Sequence, residues 1–418
     1  MSLLETDAGR GPLTSRVDEV TWFVPGRIEV LGKHTDYAGG RTLTAAASHG
    51  LTFTGQALEE PILRVTSQAV NDTVEIPLDA PSTDRHGHWS GYPAAVASRL
   101  VSNFGSQVRG AHITVDSNLP LASGMSSSSA MIVGLARTMM DLSGLEATEA
   151  FTSCVTTPEL RAHYLACVEN GQTFENLEGH RGVGTFGGSE DHTAMLCGKQ
   201  GVLSQYSFCP TSLERRVPWP DDYSIVVAVS GVLAEKSGTA REKYNRAALS
   251  THEIVKRWNE NTGRSDVYLA DAVTSSESAA EEIRSMLKGS GYLQGRFEQF
   301  LIENETIVPQ AGDALIARDI EEFGRLVDLS QHWTEEGLNN QVPETVALQR
   351  FARELGAPAA SAFGAGFGGS VWALVTSEQA DDFAAQWLKK YTVEFPEVAP
   401  RASTLVTTPG DSAQRTIN

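Results

Sequence analysis

Pro25-Gly26-Arg27-Ile28-Glu29-Val30-Leu31-Gly32-Lys33-His34-Thr35-Asp36-Tyr37, followed by Ala38-Gly39-Gly40, is the stretch on which the reading of this sequence turns. It reads as a strand running into a glycine turn that exposes a cation, an imidazole and a carboxylate within four residues. Carboxylates accept hydrogen bonds while Arg, Lys and His donate them, so such a cluster can hold several hydroxyls of a polyol. The same residue types also suit a solvated turn, and this stretch alone does not choose between the two.

Two later segments narrow the choice. Leu119-Pro120-Leu121-Ala122-Ser123-Gly124-Met125 leads into Ser126, Ser127, Ser128 and Ser129, then into an apolar helix from Ala130. A glycine and small hydroxyl residues at a helix start let backbone N–H groups approach an anion, and the helix dipole favours negative charge there, so phosphate is the natural guest. Serines also cap helices, but one cap uses one serine and here four stand in a row. The other segment, Phe363-Gly364-Ala365-Gly366-Phe367-Gly368-Gly369-Ser370, matches GxGxxG. A dinucleotide fingerprint follows a strand and opens a helix, whereas this loop is expected to follow a helix (Glu344 to Leu355) and open a strand (Ser370 to Val375), which removes that reading and leaves a tight turn. No GxxxxGK[ST] occurs, so the P-loop is excluded as the phosphate cradle.

Around these motifs, alternating apolar residues predict strands at Glu29 to Leu31, Leu63 to Thr66, Thr73 to Ile76 and Ala111 to Val115. Ala130 to Met140 reads as a buried helix and Pro158 to Asn170 as a surface helix. Tyr223 to Val229 is a buried-looking run, with helices expected at Arg241 to Asn259, Ala279 to Leu287 and Glu344 to Leu355. Strands and helices without a regular βαβ rhythm favour an α+β protein. A chain of 418 residues is too long for one ordinary core, so two domains are expected, 1–205 and 206–418, divided near Gln205.

Composition excludes some classes. A formal net charge of −19 argues against a nucleic-acid partner, which needs a basic face, while leaving room for a local basic pocket. The chain has no apolar run of about eighteen residues and a polar start (Met1 to Arg16), so neither a membrane span nor a secretory signal is expected, and the cytoplasm follows. The four cysteines, in no CxxC spacing, read as reduced packing residues. Oligomeric state is not readable.

In this order the three segments resemble motifs one, two and three of the GHMP kinases, and the first is similar to the galactokinase signature P-G-R-x-N-x-x-G-E-H-x-D-Y. Pro25, Gly26, Arg27, Gly32, His34, Asp36 and Tyr37 are kept; Glu29 and Lys33 depart. Gly187-Gly188-Ser189-Glu190-Asp191-His192 resembles C-G-I-M-D-Q, and Tyr244-Asn245-Arg246 resembles Y-N-x-R. Trp89 to Val96 is similar to W-x-N-Y-V-x-G-V. The resemblance implies an N-terminal domain of the ribosomal protein S5 domain 2 type, a ferredoxin-like C-terminal domain and ATP in the cleft between them.

It also implies roles. Asp191 would meet the hydroxyl to be phosphorylated, with Arg27 beside it lowering its pKa and stabilising charge on the transferring group. Ser123, Gly124, Met125, Ser126, Ser127 and Ser128 would bind the ATP phosphates, closed behind by Gly364, Gly366 and Gly368. Ser127 and Glu175 would hold Mg2+, Glu175-Asn176 resembling the family's E-N pair and Glu169-Asn170 being its rival. Lys33, His34, Asp36, Gly188 and Tyr244 would orient the sugar. The implied activity is that of an ATP-dependent sugar-1-kinase acting on galactose. Because the family's glutamate at position 33 meets the far end of the hexose, Lys33 there raises a uronic acid (galacturonate or glucuronate) as a rival substrate, or another sugar such as arabinose. A non-catalytic sugar and ATP sensor is the alternative of another class.

Overall fold

The computed structural model describes residues 5–6, 17–81, 89–120, 123–232 and 239–416. Most of the polar start, and Leu121 and Ala122 of the second motif, lie outside them.

Two sheets organise the chain. The first has ten strands in the order Glu5–Thr6, Gln414–Thr416, Glu19–Leu31, Arg41–Leu58, Gly110–Ser117, Ile62–Ser67, Asp72–Pro77, with the hairpin Val202–Ser207/Ser212–Pro218 and Pro409–Gly410 attached to Arg41–Leu58. The second is a four-stranded antiparallel sheet, in the order Ala359–Phe363, Ser370–Thr376, Tyr223–Val229, Ser403–Thr407. This is the α+β mixture expected. Gln205, however, pairs with Leu43 inside a strand of the first sheet, which runs on to Pro218 and regains 409–416. A division at Gln205 cuts that strand, and hydropathy could not show that the chain end returns to the first sheet.

The buried-looking run Tyr223–Val229 explains itself in three dimensions. Ile225 and Val227 join the large core that includes the first sheet, whereas Val226 and Ala228 join a second core against the helices Pro343–Glu354 and Ala380–Glu394. Successive side chains of a strand point to opposite faces, so a strand covered on both sides carries no polar alternation.

The helix Ser127–Ser143 packs on the first sheet so closely that a Cβ on Gly134 would stand 2.0 Å from the Phe53 ring. A helical glycine costs roughly 1 kcal/mol against alanine, offset here by the approach it permits. The helix Pro158–Asn170, expected at the surface, is buried on most sides, packed against helices Gly91–Phe104, Ser127–Ser143 and Glu190–Cys197. Its polar residues misled the periodicity because they are paired inside: Arg161 with Glu146 at 2.9 Å and Glu169 with His192 at 3.2 Å. The glycine-rich loop 364–369 follows a strand, Ala359–Phe363, rather than the helix directly, and opens another, so it is the turn of a hairpin.

Candidate active site

One cavity gathers the three motifs. It is lined by the strand end at Arg27 and Glu29, the turn at His34 and Asp36, the serine helix start from Ser123 to Ser129, the segment 187–192, Tyr244, and the hairpin turn from Phe363 to Gly369.

The serine loop owes its shape to two left-handed residues, Gly124 (φ 66) and Ser126 (φ 57). Ser126 occupies the N-cap position of the helix yet makes no side-chain cap. Its hydroxyl donates instead to Asp191 Oδ2 at 2.6 Å and accepts from Arg27 Nη2 at 2.7 Å. A helix start leaves its first N–H groups without intrahelical acceptors, and here that end faces the cavity, as anion binding requires. The hairpin turn lies directly behind, with Ser370 Oγ donating to the Ser123 carbonyl at 2.5 Å. Gly366 (φ 79) admits no side chain, since a Cβ would lie 2.4 Å from the Asn340 carbonyl oxygen.

Asp191 sits in the first turn of the helix Glu190–Cys197. Arg27 Nε donates to its Oδ1 at 2.5 Å, and Ser129 Oγ to its Oδ2 at 3.3 Å. Its side chain keeps 22% exposure, whereas that of Arg27 keeps 5%, so the carboxylate reaches the cavity and the guanidinium backs it. Burial disfavours the Arg27 charge, but Asp191, Glu190 and Glu29 outweigh it and hold its pKa above the ordinary value.

The turn after the strand forms the polyol end. Asp36 accepts the Glu190 N–H at 3.1 Å, and its pKa is raised to about 6 chiefly by burial. A Cβ on Gly188 would stand 2.1 Å from Asp36 Oδ2, so only glycine fits there. His34 Nδ1 lies 2.9 Å from the Tyr37 hydroxyl, and its ring centroid 5.5 Å from that of Tyr244. Burial first, then the Arg296 charge, lowers the His34 pKa to about 3, so its ring is neutral at physiological pH. Asn245 braces the neighbouring loop by accepting the Phe186 N–H at 3.1 Å.

Of the residues singled out in the sequence, Arg27, His34, Asp36, Ser123, Gly124, Ser126, Ser127, Ser128, Gly188, Asp191, Tyr244, Gly364, Gly366 and Gly368 line this cavity. Three others do not. Met125 is fully buried in the core, and only its backbone serves the site, its carbonyl accepting the Arg27 N–H at 3.0 Å. Glu175 is exposed and off the cavity, whereas its rival Glu169 is buried and lines it. Lys33 is 1% exposed but faces away, Nζ donating to Ser330 Oγ at 3.0 Å and to Ser361 Oγ. Its pKa is lowered by burial, against the pull of Glu303 and Glu29. Lys33 therefore cannot meet a uronate carboxylate, and among the described lining residues Arg27 is the one Lys or Arg side chain. Sequence reasoning also passed over Tyr92, Glu190 and His192 as lining residues. Tyr92 stood within the W-x-N-Y-like stretch, which was the available signal.

Comparison with known proteins finds three family models along the chain. The GHMP kinases N terminal domain matches residues 91–157, the GHMP kinases C terminal domain 313–393, and the galactokinase galactose-binding signature 14–56. The chain belongs to the GHMP kinases, phosphotransferases that act on a hydroxyl group. Within them its likeness is to galactokinases. That of Chloroflexus aggregans is 26% identical over 376 residues, covering 88% of this chain and 87% of the relative. That of Pyrococcus furiosus is 25% identical over 380 residues, covering 91% and 95%. The fold is similar to that of Lactococcus lactis galactokinase complexed with galactose (TM-score 0.76, 23% identity, 94% of each chain), and less closely to L. major mevalonate kinase in complex with R-mevalonate (TM-score 0.58, 17% identity, 99% of each).

Proposed function

We propose that this chain is an ATP-dependent sugar-1-kinase that moves the γ-phosphoryl group of ATP onto the anomeric hydroxyl of galactose. The observation that carries this reading is the Asp191 carboxylate, bonded to Arg27 and Ser126 and facing a cavity that also holds a helix N-terminus and a glycine hairpin turn. Phosphoryl transfer asks for positioning and charge neutralisation more than covalent chemistry. Asp191 orients the acceptor hydroxyl and takes its proton. Arg27 stabilises the charge that develops on the transferring group and keeps Asp191 ionised. Gly124 and Ser126 to Ser128 approach the phosphates, and Gly364 to Gly369 close the site behind them. His34, Asp36, Gly188 and Tyr244 orient the sugar.

Glu169 and Ser127, both on the cavity wall, are the residues that fit Mg2+, which prefers one or two protein oxygens with nucleotide phosphates completing its shell. Bound there, Mg2+ neutralises phosphate charge. The working unit is two domains, the first closing at Pro218 and recovering residues 409–416, and it acts in the cytoplasm as a soluble enzyme.

An ADP-release assay over neutral sugars and uronates tests the reading. Galactose is expected to support turnover and both uronates to fail. Asp191→Ala is expected to lower kcat by about 10³-fold or more while ATP binding stays within about threefold. No turnover with any sugar, alongside measurable sugar and ATP binding, would make the protein a sensor instead.

A further inference from the structure

Glu29 and Glu190 come from distant parts of the chain and meet at Arg27. Glu29 belongs to the strand Glu19–Leu31 and Glu190 opens the helix Glu190–Cys197; both line the cavity, with 2% and 6% exposure. Each stands where the galactokinase pattern has an uncharged residue, so two departures in sequence line one cavity and act on one guanidinium. Glu29 Oε2 accepts the Gly364 N–H at 2.6 Å, and Glu190 Oε1 lies 3.5 Å from Arg27 Nε. Glu29 Oε1 and Glu190 Oε1 are both buried without a hydrogen-bond donor.

A buried carboxylate oxygen lacking a donor is costly, and such a group regains a neutral form instead. The charge balance leads the same way. Arg27 is one cation facing Asp191, Glu29 and Glu190, with Lys33 acting on Glu29 and Asp36 on Glu190. One guanidinium cannot neutralise three carboxylates.

We propose that Glu29 and Glu190 are a positioning pair for Arg27 that holds one proton between them, keeping the guanidinium committed to Asp191 during phosphoryl transfer. Burial first, and then the Glu29 charge, raises the Glu190 pKa well above the carboxylate range. Glu29 is raised to about 7, burial outweighing Arg27, Lys33 and the Gly364 N–H. The Glu29 charge is among those that raise Glu190, so a proton on one of them relieves the other. Its loss charges both members of the pair, so that Arg27 faces three carboxylates at once and the added charge competes with Asp191 for the guanidinium and opposes the incoming phosphate.

Turnover at saturating sugar and ATP, followed from about pH 6 to 9, tests the pair and rests on the kinase reading. The wild type is expected to lose about fivefold or more in kcat on the alkaline side, and Glu190→Gln, which cannot ionise, to flatten that limb to about twofold or less. Glu29→Gln keeps an acceptor for the Gly364 N–H and carries the test if Glu190→Gln does not fold. The melting temperature supplies a readout that needs no substrate. Groups whose folded pKa is raised give stability that is full below the ordinary carboxylate pKa and lost as pH rises through the folded value, so the wild type is expected to melt lower as pH rises from about 5 toward 8. In either Gln variant that slope shrinks. An alkaline limb as steep in both variants as in the wild type overturns the proposal; if no sugar is phosphorylated, an unchanged melting slope overturns it alone.

Discussion

Arg27 and Lys33 leave the same stretch of chain, both buried, and meet opposite surroundings. Arg27 is surrounded by carboxylates that hold its charge in place despite burial, whereas Lys33 meets two serine hydroxyls and burial draws its pKa down. The turn between them decides this. Arg27 and Glu29 lie two apart on one strand and share the cavity face, flanked by register shifts of the kind that re-aim side chains near active sites. At Gly32 (φ 99) the chain bends against Thr42, whose Cα would lie 2.4 Å from an added Cβ. Lys33 therefore leaves that face and enters a polar cluster in which Glu303 Oε1 accepts from the Gly32 N–H at 2.7 Å and from Ser330 Oγ at 3.0 Å. A position within a motif fixes its neighbours in sequence but not the direction of its side chain.

The largest expected effect in this comparison falls on Arg27. Arg27→Lys keeps the charge but loses the planar fork that reaches Asp191, Ser126 and Gly124 together, and kcat is expected to fall by about 10²-fold with sugar KM changed far less. Steady-state kinetics check this, and a loss confined to KM would move Arg27 from the chemistry to substrate binding. An intermediate effect separates two glutamates. Glu169→Gln is expected to raise the Mg2+ concentration for half-maximal activity by about tenfold, while Glu175→Gln stays within about twofold. Magnesium titrations of the two variants side by side decide it, and the reverse order would return the role to Glu175.

The smallest expected catalytic effect belongs to Lys33→Met. Lys33 is not among the described residues that line the cavity, so sugar KM is expected to stay within about threefold, whereas the protein loses about 1–3 kcal/mol as Ser330 and Ser361 lose their buried donor and Glu303 its neighbouring cation. Thermal melts alongside kinetics read both. A large rise in KM with an unchanged melting temperature would place Lys33 at the sugar after all.

Much of the site was legible because its parts are chemical types in fixed order. The serine run, the hairpin glycines, Asp191 and Arg27 each carry a demand that few other residues meet, and all reach the cavity. The misreadings share a cause. Motif resemblance assigns Glu175 and Lys33 to the site, yet one is exposed and the other is drawn off by a partner far along the chain. Pro158–Asn170 has the mixed period of a surface helix because its internal pairing is invisible in one dimension, and Gln205 falls inside a strand because a strand edge does not register in hydropathy.

The sequence by itself determined the family, the α+β class and the residue types of the phosphate and acceptor ends, because glycine conformations, helix-start serines and strand periodicity are local properties of the chain. Only the tertiary structure decided which carboxylates flank Arg27, that Glu169 and not Glu175 faces the cavity, and that Lys33 points away from it. Those outcomes depend on groups remote in sequence competing for the same buried charge, and such competition is settled only when the elements pack.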